Sequence, residues 1–361
     1  MIEETKLVQI ILQEEINMYY IADYLDYYKN TDVETIKWNI MDNLICTILV
    51  YLPVEGFKEE KNLNSFCTYV EPYAGKKYEG NMVPLAFDVL KKISGSTRYN
   101  DMIISDFTND RSTLAQFGAM TVRIGENTVI VYKGTDHSVI GWIENFRISY
   151  DYPTCTQKLA IEYMKRNIRC FGDKNIYVTG HSKGGNLAIV SAMEMGNRIF
   201  HRIKKVYNFD GPGLRKEEYL SEKYERLCKK LVNIIPEGSI VGMVLYNRDY
   251  HVVETSPGSI NDHYPNTWGI FGEFFQPSRL SVFSKKIHEN IINSMEKFPH
   301  SQVEQAFEAI FQNIEQDYTS DFNLSPETIL PFIKNMREVD KEIADDIYEI
   351  MKQLLWQNSK V

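Results

Sequence analysis

Residues 175–188 read Asn-Ile-Tyr-Val-Thr-Gly180-His181-Ser182-Lys183-Gly184-Gly-Asn-Leu-Ala188, which sets a serine between two glycines where an apolar run gives way to a helix-forming one. The G-x-S-x-G spacing specifies a sharp strand-to-helix turn. Small residues at 180 and 184 let the backbones pass closely, and the serine sits at the apex with its hydroxyl pointing out of the sheet edge. The backbone N–H of Lys183, at the start of the following helix, can then donate to a developing oxyanion. Alone the five-residue pattern is weak; the apolar strand running in and the helical pattern running out give it specificity.

A serine hydroxyl is too weak an acid to attack at neutral pH without a base, and the base needs an acid to orient it. In chains built around this turn the order is serine, acid, histidine. Among the later histidines, His201 follows the nucleophile helix too closely, His288 and His300 fall in a helical tail, and His251 opens a strand-like His-Val-Val run. His263 falls in a loop after the last core strands and is the expected base; a loop histidine bonded to nearby backbone is the alternative. Asp210, in Asn208-Phe-Asp210-Gly-Pro-Gly213, ends the strand after the nucleophile helix and is the expected acid. Glu237 and Asp249 are alternatives, and a turn-forming Asp210 is the structural one. A second oxyanion donor is expected at Thr135, after the apolar strand and glycine of Val131-Tyr-Lys133-Gly134.

These residues need elements to position them. Leu7, Ile11, Met18, Ile21 and Leu25 predict one long amphipathic helix from Glu3 to about Tyr28, and a second helix is expected over Val33–Tyr51, stopping at Pro53. Lys58–Asn81 reads as polar and turn-rich, before a helix over Val83–Ile93. Phe117–Ile124 and Thr128–Tyr132 read as a hairpin. Helices are then expected at Val139–Phe146 and Gln157–Arg169. Strands are expected at Ile176–Thr179, Val206–Phe209, Leu231–Ile235 and Gly242–Tyr246. Such alternation predicts an α/β unit with a largely parallel sheet. From Phe283 to Trp356 three or four amphipathic helices are expected. The domain expectation is therefore a helical region over 1–100 packed on the core, a catalytic core over 101–280, and an acidic helical region over 281–361.

Composition excludes several classes. The chain has 361 residues, 43% of them hydrophobic and 25% charged, as folded proteins have. A net charge of -9 is the wrong sign for gripping nucleic acid or anionic membrane. Residues 281–361 hold 8 basic against 14 acidic residues, so the acidity concentrates there. Five scattered cysteines without paired spacing predict neither a disulfide framework nor a zinc site. The first sixteen residues carry acids where a signal peptide carries bases, and the longest apolar run, Leu44–Leu52, is about half a bilayer span. A cytosolic chain without an integral membrane segment is the expectation.

Lys133-Gly-Thr-Asp136, then Gly141-Trp-Ile-Glu-Asn-Phe146, then Gly180-His-Ser-Lys-Gly-Gly-Asn-Leu-Ala188 resemble the fungal-type (class 3) lipases. A closer resemblance is to the bacterial Mbeg1-like (DUF2974) family, carried by Asp42-Asn-Leu-Ile with Tyr51, the elbow, Asp210-Gly-Pro-Gly, Pro236 with Ser239-Ile-Val-Gly-Met243, and His263 before Trp268. It runs from about residue 39 to about 315. It implies an α/β-hydrolase-like fold with helical additions at both ends, Ser182 as nucleophile, His263 as base, and Thr135 with the Lys183 N–H as oxyanion hole. In the lipases an acid precedes Ile-Val where Ser239 stands, and leucine is usual where Lys183 stands. The Lys183 side chain is expected either to meet an anionic substrate group or to be solvated. The resulting expectation is a serine hydrolase of carboxylic esters, lipid or lysolipid among them, with no cofactor and no metal. Acyl transfer at the same site and a non-catalytic scaffold are the alternatives. Gly141–Phe146 is expected to be part of a lid or a packed helix, and the terminal helices offer a surface for self-association.

Overall fold

The computed structural model describes residues 18–312 apart from 79, 113, 114, 137, 170, 171 and 257–261, together with positions 341 and 345. An eight-stranded sheet runs in the order of the sequence: β1 Lys61–Asn62, β2 Ile103–Arg111, β3 Gln116–Ile124, β4 Asn127–Tyr132, β5 Asn175–His181, β6 Ile203–Phe209, β7 Leu231–Pro236 and β8 Tyr250–Val253. The first four strands pair antiparallel; from β4 to β8 every pairing is parallel. A small hairpin, β9 Ile270–Phe271 with β10 Phe274–Phe275, stands apart.

Alternation along the strands sends successive side chains to opposite faces. Val129 and Val131 join one apolar core, and Ile130 and Tyr132 the other. Helices α1 Ile21–Tyr28, α2 Ile40–Leu49, α3 Leu63–Val70 and α4 Met82–Ile93 cover the first face. After them come α5 Val139–Arg147, α6 Cys155–Asn167, α7 Lys183–Met193 and α8 Glu222–Cys228; of these, α6, α7 and α8 cover the second face. Helices α9 Val282–Lys297 and α10 His300–Gln312 follow the sheet, separated at Phe298 and Pro299. The fold is α/β-hydrolase-like. No helix among the described residues is long and apolar enough to cross a membrane.

Several expected elements differ. The helix predicted from Glu3 does not run continuously to Tyr28: Tyr19 bridges Ile270, and the described helix begins at Ile21. Residues 3–17 lie outside the described ones. The helix expected from Val33 starts at Ile40, because Asn39 and Asp42 form a reciprocal capping box there. The stretch read as turn-rich holds α3, whose Leu63, Phe66 and Val70 recur at helical spacing and are buried, with Asn62 accepting from the Ser65 N–H. No strand forms over Gly242–Tyr246; Val241–Met243 is a single 3-10 turn. That backbone is committed elsewhere, with the Gly242 N–H donated to Asp210 Oδ1 and Val244 and Tyr246 bonded to Gly213 and Leu214. Of the helices expected up to Trp356, α9 and α10 are present; beyond Gln312 the prediction lies outside the described residues except at 341 and 345, both helical.

Candidate active site

The parallel strands all end at one edge, and the candidate residues gather there. Ser182 sits between β5 and α7 with φ 57° and ψ −134°, a conformation that costs a non-glycine residue roughly 1–3 kcal/mol. The turn is held by the Ser182 N–H donating to the Phe209 carbonyl at 3.0 Å and the Gly185 N–H to the Ser182 carbonyl at 2.8 Å. A Cβ on Gly180 would fall into the Gly184 backbone, and one on Gly184 into the Tyr132 carbonyl, which is why both positions are glycine.

Asp210 follows β6, also at positive φ (48°), and is fully buried. Its Oδ2 lies 2.6 Å from His263 Nδ1, while Oδ1 accepts from Ser239 Oγ at 2.5 Å and from the Gly242 N–H at 3.1 Å. Ser239 thus serves as a hydrogen-bond donor to the carboxylate where the resembled lipases place their acid. The His263 ring is about a quarter exposed, and its loop is held by buried Trp268, whose Nε1 donates to the Asp262 carbonyl at 2.6 Å. The alternative acids lie elsewhere: Glu237 accepts from Thr255 Oγ1 and Ser278 Oγ, and Asp249 is exposed beside Arg248. Ser182 Oγ makes no hydrogen bond among the described residues, so Asp210 and His263 are joined while Ser182 is not bonded to His263.

At the end of β4, the Gly134 N–H donates to Tyr51 Oη at 3.1 Å. Thr135 Oγ1 donates to Asn145 Oδ1 on α5 at 2.9 Å, which commits its hydroxyl proton and leaves the Thr135 backbone N–H as the donor to consider. The Gly141–Phe146 stretch is part of α5. It is tied to α10 by a Phe146–Phe307 ring stack at 5.0 Å and by Arg147 Nε to Glu308 at 3.1 Å.

Lys183 departs from both expectations for its side chain, being neither solvated nor open to a ligand. It is 1% exposed, and its Nζ donates to Gln116 Oε1 at 2.6 Å and to the Gln116 carbonyl at 3.0 Å. Burial pushes its amine down to about 8, with Glu144 and Asp136 acting in the opposite direction. Lys133 is likewise buried and lowered to about 8; its Nζ donates to Asn109 Oδ1 at 2.8 Å. Burial pushes the carboxyl of Glu144 up.

Three contributors escaped the sequence reading of the site. His181 is buried, with Nδ1 3.1 Å from Tyr51 Oη and Nε2 2.7 Å from the His263 carbonyl. Gln116 donates through Nε2 to the Gly134 carbonyl at 3.4 Å. His181 had a local signal, its place inside the elbow, and Tyr51 entered only as a feature of the family resemblance with no role attached; Gln116 had none, and both Tyr51 and Gln116 reach the site from distant sequence.

A sheet edge carrying a serine at positive φ between strand and helix defines an α/β-hydrolase-like protein. A family model described as Mbeg1-like matches residues 93–312, and the chain belongs to that family. Among solved structures, the chain is similar to the "M37 lipase", with 15% identity and a TM-score of 0.37 over 56% of this chain and 67% of that one. It is also similar to a Rhizomucor miehei lipase in its propeptide complex, with 15% identity and a TM-score of 0.36 over 59% of this chain and 68% of that one. A comparison with curated proteins finds no match.

Proposed function

We propose that this chain is a serine hydrolase of carboxylic esters, with lipid or lysolipid esters as the substrate class. Ser182 is the nucleophile, His263 the base and Asp210 the acid that orients it. The observation that carries the proposal is the 2.6 Å bond between Asp210 and His263 at the same sheet edge as the strained Ser182. A buried carboxylate on Nδ1 fixes the tautomer in which Nε2 is free to take the serine proton and stabilises the imidazolium that forms. Ser182 Oγ then bonds to the acyl carbon, and the carbonyl oxygen becomes an oxyanion facing the N–H groups of Lys183 and Thr135. His263 returns the proton to the departing alkoxide, leaving an acyl-serine. Water, deprotonated by His263, releases the carboxylic acid and restores Ser182.

This carboxylate–imidazole pair also weighs against a scaffold that retains only the fold. Wild type is expected to react with a fluorophosphonate probe and cleave short p-nitrophenyl esters, while Ser182→Ala does neither. A wild-type protein that neither labels nor cleaves would refute the proposal.

A further inference from the structure

An oxyanion hole built from the N–H groups of Lys183 and Thr135 draws its donors from two different elements, the start of α7 and the end of β4. Their relative direction has to be set before charge develops, because preorganised donors need no rearrangement as the reaction proceeds. The link between the two elements is a buried side-chain relay. Lys183 Nζ can only donate, so the Gln116 side-chain atom 2.6 Å away is the oxygen. That fixes the orientation of the amide and aims Nε2 at the Gly134 carbonyl, 3.4 Å away. Gln116 and Lys183 are each 1% exposed, so bulk water is largely kept from these bonds.

The Gly134 carbonyl and the Thr135 N–H belong to one peptide group. That group is planar and trans, so its C=O and N–H point in opposite directions. Holding the carbonyl toward Gln116 therefore turns the Thr135 N–H the other way. Gly134 itself lies against the nucleophile: a Cβ placed on it would come within 3.1 Å of Ser182 Cβ. We infer that Gln116 and the Lys183 side chain are positioning residues that set the direction of the Thr135 N–H. Lys183 then supplies one oxyanion donor through its backbone and orients the second through its amine. The inference rests on the serine-hydrolase proposal.

The test is p-nitrophenyl butyrate hydrolysis, with active sites counted by fluorophosphonate titration. Gln116→Glu keeps an acceptor for Lys183 and the side-chain shape, and it replaces the donor facing the Gly134 carbonyl with an acceptor. It is expected to lower kcat per titrated site at least tenfold with KM within twofold of wild type. Lys183→Met releases the Gln116 amide from the other end and is expected to give the same split. A merely structural role would reduce the number of titratable sites and leave kcat per site unchanged. If kcat per site stays within twofold of wild type in either folded variant, the inference is overturned; should Gln116→Glu not fold, Lys183→Met decides. Wild type that neither cleaves nor titrates instead defeats the hydrolase proposal, which separates the two failures.

Discussion

His181 Nε2 donates to the backbone carbonyl of His263 at 2.7 Å, so the residue immediately before the elbow serine grips the loop that brings His263 to Asp210. A carbonyl only accepts, so Nε2 carries the proton and Nδ1 is left to accept from Tyr51 Oη, whose oxygen in turn accepts the Gly134 N–H. Burial holds the His181 imidazole well below its usual range, with the nearby His263 ring acting in the same direction and the bond to the His263 carbonyl acting against it, and the neutral ring satisfies this pattern of donors and acceptors. The bonds run continuously from the His263 loop to the end of β4.

His181→Ala leaves the His263 carbonyl and the Tyr51 hydroxyl without these partners. The expected cost is about 1–3 kcal/mol of stability per buried group left unsatisfied. Urea unfolding measures this, and a roughly tenfold or greater fall in kcat is expected alongside it. An unchanged kcat in the folded variant would show that the His263 loop does not depend on this grip.

Asp210→Asn retains the shape and an oxygen that can accept from Ser239 and Gly242, and it loses the carboxylate facing Nδ1. By analogy with the corresponding change in serine proteases, kcat is expected to fall by roughly 10⁴-fold. Near-ultraviolet circular dichroism is expected to stay unchanged. Retention of more than a tenth of the activity would assign the acid elsewhere.

The buried Lys183 amine gives stability a definite pH dependence. Folded, it releases its proton near about 8; unfolded, it keeps the proton to its ordinary 10.5. Between those values the unfolded chain binds more protons, so this residue's contribution to stability rises with pH, and its penalty is fully present below about pH 8. Relative to Lys183→Met, wild type is therefore expected to gain up to about 3 kcal/mol from pH 8 to pH 10.5. Paired urea titrations across that range check it, and parallel curves would contradict it.

Away from the site, Arg98 and Asp42 form a fully buried pair, with Nε on Oδ1 at 2.8 Å and Nη2 on Oδ2 at 2.6 Å, and Tyr99 Oη also donating to Oδ1 at 2.8 Å. Arg98→Met strands the carboxylate and is expected to cost about 3–5 kcal/mol. Replacing both, as Arg98→Met with Asp42→Leu, is expected to recover much of that loss. Chemical denaturation of the two variants makes the comparison.

Features carried by short-range pattern were legible in the chain itself. The parallel strands β5, β6 and β7 announce themselves as apolar runs, and the elbow as glycines at a fixed spacing around Ser182. Strand β2 did not: Asp106 sits at φ 44° and the register slips between Ser105 and Thr108, so the two-residue period that marks a strand is broken. Strand β8 is legible in the His251-Val-Val run, whereas the strand expected over Gly242–Tyr246 does not form, because apolar content alone does not reveal where a backbone N–H is spent, and Gly242 spends its own on Asp210.

By itself the sequence determined the α/β alternation and the serine at a strand-to-helix turn. It also pointed to His263 as the expected base and left Asp210, Glu237 and Asp249 as candidate acids, because residue type and order along the chain restrict those choices. Only the tertiary structure decided that Asp210 meets His263 across 53 positions, and that Lys183 turns inward to Gln116 across 67. It also joined Tyr51 to His181 across 130. The physical reason is that hydrogen bonds act over about 3 Å of space, whereas sequence pattern registers only neighbours within a turn or a strand. An amine that looks solvated in the chain becomes a buried donor only when the sheet closes over it.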